Sequence, residues 1–87
     1  MADARGQIIV IDDDEGNRRS TEMALRRDGY DVVSFASGTE GLDRLRHRGA
    51  DLLVTDLRMP GLNGLDVLRQ ARAFDPGIGV LVITGFG

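Results

Sequence analysis

Short apolar runs alternate with longer polar stretches along the whole chain of 87 residues. Four runs are rich in branched aliphatic residues and carry few charges, at 7–11, 31–35, 50–57 and 78–84. Runs of roughly four to eight residues with this composition are typical of buried strands. The last two runs are almost continuously apolar, which predicts strands that are covered on both faces of a sheet.

The polar stretches between the runs have helical patterns with recognisable start and stop signals. The first predicted helix spans residues 17–28. The second and third predicted helices follow candidate capping residues, Ser37 and Asn63. The predicted helix ends are marked by glycine or proline, at Gly29, at Gly49 and in the Asp-Pro-Gly sequence at 75–77.

The predicted elements follow the order βαβαβαβ. Strands joined through helices in this way pair in parallel, with right-handed crossovers that cover both faces of the sheet. The predicted fold class is therefore α/β, a doubly wound parallel sheet with the strand order 2-1-3-4. In that order the first and third strands are neighbours, and the crevice between their carboxyl ends is where such sheets bind ligands.

The composition fits one small globular domain, since 41% of the residues are hydrophobic and 29% are charged. A net charge of −3 gives no basic footprint, so we expect no direct contact with nucleic acid. The absence of cysteine excludes disulfides and thiolate chemistry. No apolar run could span a membrane and no apolar signal region begins the chain, so we expect a cytoplasmic protein without membrane contact.

Acidic residues end two of the predicted strands. Asp12 and Asp13 follow the first strand, and Asp56 ends the third. Bringing these carboxylates together is costly unless a cation joins them, and Mg²⁺ prefers such oxygen ligands. A simpler interpretation is that residues 12–15 favour the positive N-terminus of the first helix, a role that suits Asp14 and its neighbour Glu15 best. The matching position of Asp56 favours the metal site.

Thr84 lies at the end of the fourth predicted strand, directly before Gly85. Its hydroxyl would sit at the same sheet edge as Asp56 and could donate a hydrogen bond to an anionic group built on that aspartate. Taken alone, Thr84 is explained as a β-branched residue that closes a strand. His47 has no partner acid or nucleophile at useful spacing, so we expect a solvated residue at a helix end.

These motifs resemble the response regulator receiver domain of two-component signalling. The resemblance rests on Val-Ile-Asp-Asp at 10–13, on the nine-residue element Asp-Leu-Arg-Met-Pro-Gly-Leu-Asn-Gly at 56–64, and on Val-Ile-Thr-Gly at 82–85. It spans essentially residues 1–87, which are identified as a partial receiver domain. The fold that this family implies is flavodoxin-like, in agreement with the α/β pattern.

The resemblance implies roles for individual residues. Asp56 would accept a phosphoryl group from the phosphohistidine of a sensor histidine kinase. Asp13 and Asp56 would bind Mg²⁺ with the backbone carbonyl of Arg58, and Asp12 would act through water. Thr84 would hydrogen-bond the phosphoryl oxygens and couple phosphorylation to a conformational or oligomerisation switch. The family implies a signalling domain rather than an enzyme, with at most weak autophosphatase activity, and the Thr-Gly-Phe-Gly ending resembles receivers of transcriptional activators.

The chain departs from the family in its length. Receivers have five strands and five helices, whereas this sequence stops after the fourth predicted strand, so we expect helix four, strand five and helix five to be missing. The strand-five lysine that pairs with the phosphoryl group is absent, because the sequence contains no lysine. The fourth strand would then be an exposed edge, and we expect a homodimer or an element-swapped oligomer.

Two other functions compete with signalling. A fragment that no longer signals would act as an oligomerising module through the edge of the fourth strand. A Mg²⁺-dependent phosphatase with an aspartate nucleophile would need a general acid two residues after Asp56, and Arg58 stands there instead. The phosphatase interpretation is therefore poor.

Overall fold

Four parallel strands and three helices alternate in residues 6–84, the part of the chain that the computed structural model describes. Each element lies where the hydrophobic pattern predicts it, with ends that differ by one or two residues. The strands are β1 (Gln7–Ile11), β2 (Asp31–Phe35), β3 (Leu52–Asp56) and β4 (Gly79–Ile83), and the helices are α1 (Glu15–Arg27), α2 (Gly38–Arg48) and α3 (Gly64–Phe74).

The strands form one sheet in the order β2-β1-β3-β4, which confirms the predicted α/β fold. Ile11 is the register partner of Phe35 on one side and of Thr55 on the other. Asp56 is in turn the partner of Ile83 on β4. Because all strands run in the same direction, the residues that follow β1, β3 and β4 emerge at one edge of the sheet.

Side-chain caps fix where the helices begin. The Asp14 carboxylate accepts a hydrogen bond from the Asn17 amide at 2.9 Å, so α1 starts at Glu15 rather than at the predicted residue 17. Asn63 caps α3 in the same way, through the Asp66 amide at 2.9 Å. With 13, 11 and 11 residues, no helix within residues 6–84 is long and apolar enough to span a membrane.

Two apolar clusters hold the layers together, one on each face of the sheet. Helices α2 and α3 cover the larger cluster, and α1 covers the smaller one, where it packs on β1 and β2. The buried residues of the larger cluster are Ile9, Ile11, Leu42, Leu45, Leu53, Met59, Val67, Ala71 and Ile78, and those of the smaller cluster are Ile8, Val10, Val32 and Val54.

The predicted burial of the fourth strand on both faces is wrong for the described residues. Val80 and Val82 are half-buried on the side of α3, but Leu81 is 53% exposed and Ile83 is 43% exposed. The reason is geometric: α1 packs on β1 and β2, and no element among residues 6–84 reaches over β4 on that side. Leu81 and Ile83 are therefore an apolar surface beside the free edge of the sheet.

Candidate functional site

Three carboxylates meet at the carboxyl edge of the sheet. One oxygen each from Asp12, Asp13 and Asp56 lies within 4.8 Å of the other two. The register explains the meeting: Ile11 and Thr55 are partners, so the residues that follow them leave β1 and β3 side by side. The structure thus brings together all three acidic residues that the sequence singled out.

The loop after β1 is held by local hydrogen bonds. The Asp12 carboxylate accepts the Asp14 amide at 2.9 Å, a turn that aspartate side chains commonly form. The Asp12 amide continues the sheet by donating to the Phe35 carbonyl at 3.1 Å. On the other side, Arg18 of α1 donates from its guanidinium to the Asp12 carbonyl at 2.9 Å. These bonds fix the backbone that carries Asp12 and Asp13.

The surroundings of Asp12 disfavour a negative charge on its carboxyl group. Burial raises the pKa of the half-buried Asp12 carboxyl above its ordinary value, the hydrogen bond from the Asp14 amide opposes this rise, and the charges of Asp56 and Asp13 add to it. The ion pairs formed among residues 6–84 all join neighbours within one helix, and none includes Asp12, Asp13 or Asp56. The cluster therefore concentrates negative charge without a protein cation in an ion pair with it.

The donor set fits a hard divalent cation. Carboxylate oxygens are the ligands that Mg²⁺ and Ca²⁺ prefer, and Mg²⁺ needs only one or two protein carboxylates because it retains several waters. Asp13 is exposed and Asp12 and Asp56 are half-buried, so the cluster is open to solvent on one side. Such a site can take up a partly hydrated ion.

The main chain at Asp56 is fixed by a close contact with α3. A methyl group added at Gly64 would lie 2.5 Å from the Asp56 carbonyl oxygen and 2.8 Å from the Leu57 Cα, so only glycine fits there. The Gly64 amide also donates to the Leu57 carbonyl at 2.8 Å. From within the core, the buried Thr55 hydroxyl donates to the Asp56 carbonyl at 3.0 Å. Asp56 therefore leaves β3 in a defined direction.

The other two predicted site residues lie at the same edge. Thr84 follows Ile83, the partner of Asp56, and its side chain is exposed. Arg58 is exposed two residues after Asp56 and lines an open groove of about 510 Å³ together with Leu57, Met59, Pro60 and Asn63. The predicted roles of the Arg58 carbonyl and the Thr84 hydroxyl stay predictions. His47 is exposed on α2, as expected, but the expected lack of a partner acid is wrong: its ring nitrogen Nδ1 lies 3.6 Å from the carboxylate of Asp43, one helical turn earlier.

Three residues that shape the site were not predicted from the sequence: Arg18, Thr55 and Gly64. Arg18 could have been found from its position, because an arginine at the fourth residue of a helix can reach back to the loop before it. Gly64 stood inside a motif, but the sequence did not show what its missing side chain avoids. Nothing in the sequence distinguished the Thr55 hydroxyl from an ordinary strand residue.

Comparison with known proteins identifies the family of this chain. The profile of the response regulator receiver domain matches residues 8–87. The chain therefore belongs to the response regulator receiver domain family, the receivers of two-component response regulators.

The chain spans only part of the length of the relatives and solved structures that it matches. It is 38% identical over 84 residues to the C4-dicarboxylate transport transcriptional regulatory protein DctD of Rhizobium meliloti, covering 97% of this chain but 18% of DctD. The crystal structure of a response regulator receiver domain protein from Clostridium thermocellum matches with a TM-score of 0.87 and 35% identity, over 93% of this chain and 66% of that one. The complex of histidine kinase ThkA with response regulator protein TrrA matches with a TM-score of 0.85 and 27% identity, over 93% of this chain and 70% of that one.

Proposed function

We propose that this chain accepts a phosphoryl group on Asp56 and relays the event as a conformational or oligomerisation switch. A carboxylate oxygen of Asp56 forms the new P–O bond as the P–N bond of a phosphohistidine breaks, and the departing imidazole keeps the nitrogen electron pair. The observation that supports this proposal most strongly is the convergence of Asp12, Asp13 and Asp56 within 4.8 Å. Phosphoryl transfer depends mainly on positioning and on neutralising charge; the cluster would supply the positioned acceptor, Asp56, and the carboxylates that hold the neutralising cation.

The residues that would hold Mg²⁺ are Asp13 and Asp56, with the Arg58 backbone carbonyl, and Asp12 would act through a water. When bound, Mg²⁺ would supply positive charge that offsets the negative charge of the carboxylates and of the phosphoryl group. The chain's own contribution is to fix the carboxylates: Gly64 and Thr55 hold the Asp56 backbone, and the loop after β1 holds the other two.

Thr84 is proposed to respond to phosphorylation of Asp56 by a hydrogen bond to the phosphoryl group. It lies one residue beyond the register partner of Asp56 and is exposed at the same edge, so its hydroxyl can turn to donate to a phosphoryl oxygen. That donation would draw the end of β4 toward Asp56. The movement would change the surface that a downstream partner meets.

The proposed phosphoryl donor is a sensor histidine kinase. One solved structure that resembles this chain is a histidine kinase in complex with a response regulator protein. The relative DctD carries transcriptional regulation in its name, which supports a role in the regulation of transcription. We propose that the phosphoryl transfer takes place in the cytoplasm and that the receiver itself does not contact nucleic acid. We further propose that its role is in signalling rather than in enzymatic catalysis.

The proposal is tested by incubating the chain with a small-molecule phosphodonor and Mg²⁺ and measuring the intact mass. We expect one phosphoryl adduct, which is lost in Asp56→Asn and when a chelator removes the metal. Asp31→Asn is the matched control, since Asp31 is an exposed aspartate at the opposite edge of the sheet. Equal adducts on the wild type and on Asp56→Asn would refute the assignment.

A second function is favoured by the exposed apolar side chains of β4. Leu81 and Ile83 lie next to an edge that is unpaired among residues 6–84. Pairing of this strand with a second copy would cover both the backbone groups and the apolar surface. The 87-residue chain would then act as an oligomerising module, whether or not Asp56 is phosphorylated.

A further inference from the structure

Arg18 connects α1 to the acidic loop. Its guanidinium donates to the Asp12 carbonyl at 2.9 Å, and its backbone amide donates to the Asp14 carbonyl at 2.9 Å. The side chain is half-buried, whereas most of α1 is exposed. A charged donor makes a stronger hydrogen bond to a carbonyl than a neutral donor does, so this contact restrains the backbone between Asp12 and Asp13.

Arg18 binds the backbone of the loop rather than a carboxylate. Arg18 forms no ion pair with Asp12, Asp13 or Asp56 among the described residues. Asp12 lies beyond the last ladder position of β1, where its carbonyl has left the sheet. Arg18 therefore satisfies this carbonyl and sets the direction in which the next residue, Asp13, leaves the strand.

We propose that Arg18 is a positioning residue for the carboxylate site, which it serves by holding the Asp12–Asp13 backbone in the geometry that binds a divalent cation. The inference rests on the proposed Mg²⁺ site. The proposed effect of the Arg18 hydrogen bond on metal binding is opposite in sign to the effect of the Arg18 charge. A cation beside three carboxylates opposes metal binding by repulsion, so removal of the charge alone would tighten binding. Removal of the backbone bond would loosen it, because groups that orient metal ligands contribute strongly to affinity.

Arg19 is the matched control for charge. It is the next residue on the same helix, its side chain is 73% exposed, and it pairs only loosely with Glu15 at 3.7 Å. Substitution of either arginine by methionine removes one positive charge and keeps a long unbranched side chain with good helix propensity. The two variants therefore differ in the bond to the Asp12 carbonyl and share the change in net charge.

The test is titration calorimetry of Mg²⁺ binding to the wild-type chain, Arg18→Met, Arg18→Lys and Arg19→Met, at fixed ionic strength. Arg18→Met is expected to raise the Kd for Mg²⁺ by about tenfold. Arg19→Met is expected to stay within about twofold of wild type, on the tighter side, because exposed charges are screened. An Arg18→Met variant that binds Mg²⁺ as tightly as wild type, or more tightly, overturns the proposal.

Arg18→Lys keeps the test decisive if Arg18→Met does not fold. Lysine retains the charge but replaces the planar guanidinium with a shorter, more strongly hydrated donor. If Arg18 acts by positioning the backbone, Arg18→Lys should bind Mg²⁺ more weakly than wild type does. Where both variants fold, its Kd should lie between that of wild type and that of Arg18→Met. A role through charge alone predicts wild-type affinity for Arg18→Lys, and that result refutes positioning.

The same titrations separate this proposal from the proposed function. A wild-type chain that binds Mg²⁺ and an Asp56→Asn chain that binds it weakly would support the metal site, and an unchanged Kd in Arg18→Met would then refute only the role of Arg18. A wild-type chain with no measurable Mg²⁺ binding would overturn both.

Discussion

Asp12 and Asp56 leave adjacent parallel strands side by side, because the residues before them, Ile11 and Thr55, are register partners. Their carboxylates, with that of Asp13, gather within 4.8 Å although the two aspartates are far apart in sequence. The arrangement costs stability, since like charges in a partly buried site repel each other. A bound cation would remove this cost. The stability of the metal-free protein therefore reports on the repulsion among the carboxylates.

Asp12→Asn is predicted to stabilise the metal-free protein at neutral pH. The pKa of Asp12 is raised in the folded state, so the folded state binds this proton more readily than the unfolded state does. The free energy of unfolding therefore falls as pH rises from the unfolded value of about 3.9 through the folded pKa, and the penalty is present above that range. Asparagine removes the charge and can still accept the Asp14 amide.

Thermal unfolding in a chelating buffer measures this effect. At pH 7 the unfolding midpoint of Asp12→Asn should lie a few degrees above that of wild type, and the gap should close as pH approaches about 4. A gap that does not depend on pH would show that the substitution acts through packing instead of charge. Added Mg²⁺ should raise the midpoint of wild type more than that of the variant, because binding to the folded state alone stabilises it.

Gly64→Ala is predicted to damage both stability and the site. The added methyl group would meet the Asp56 carbonyl oxygen at 2.5 Å and the Leu57 Cα at 2.8 Å, and backbone atoms cannot move aside as side-chain ends can. Overpacking of this kind costs about 1–3 kcal/mol in the free energy of unfolding. Denaturation by urea measures the loss, and the yield of the phosphoryl adduct should fall with it.

Gly16→Ala is the control for that prediction. Gly16 also lies in the first turn of a helix, but it is exposed, and the nearest atom beyond its chain neighbours, Oδ1 of Asp14, would be 3.4 Å from the new methyl group. Alanine there should raise the free energy of unfolding by about 0.5–1 kcal/mol through helix propensity. Equal effects at the two positions would contradict the close contact between α3 and Asp56.

Self-association of the 87-residue chain is predicted to depend on β4. Leu81→Lys should lower the apparent mass in size-exclusion chromatography with light scattering at concentrations on the order of tens of micromolar, because a charge beside a free edge opposes strand pairing. Met23→Lys is the control, since Met23 is 61% exposed on α1, away from β4. A wild-type chain that stays monomeric at these concentrations would refute the oligomerising function.

Much of the fold was predictable because local signals agree with one another. Branched apolar runs placed β1 and β2 at their observed bounds, and Ser37 and Asn63 cap α2 and α3 as predicted. The convergence of the aspartates followed from the strand order, since parallel strands present their ends at one edge.

The remainder depended on contacts between distant segments. The exposure of Leu81 could not be predicted from an apolar run, because burial depends on which helix lies over the strand. The bond from Arg18 to the Asp12 carbonyl requires the angle at which α1 leaves the loop. The close contact of Gly64 with Asp56 requires the docking of α3 on β3. Propensity and pattern carry no information on any of these distances.

The most direct test of the central claim is to locate the phosphoryl group. The chain is treated with a phosphodonor and Mg²⁺, the acyl phosphate is reduced with borohydride to homoserine, and peptides are sequenced by tandem mass spectrometry. The account predicts reduction at position 56 alone, abolished by the chelator and by Asp56→Asn. Reduction at Asp12, Asp13 or any other aspartate, or its persistence without metal, would contradict it.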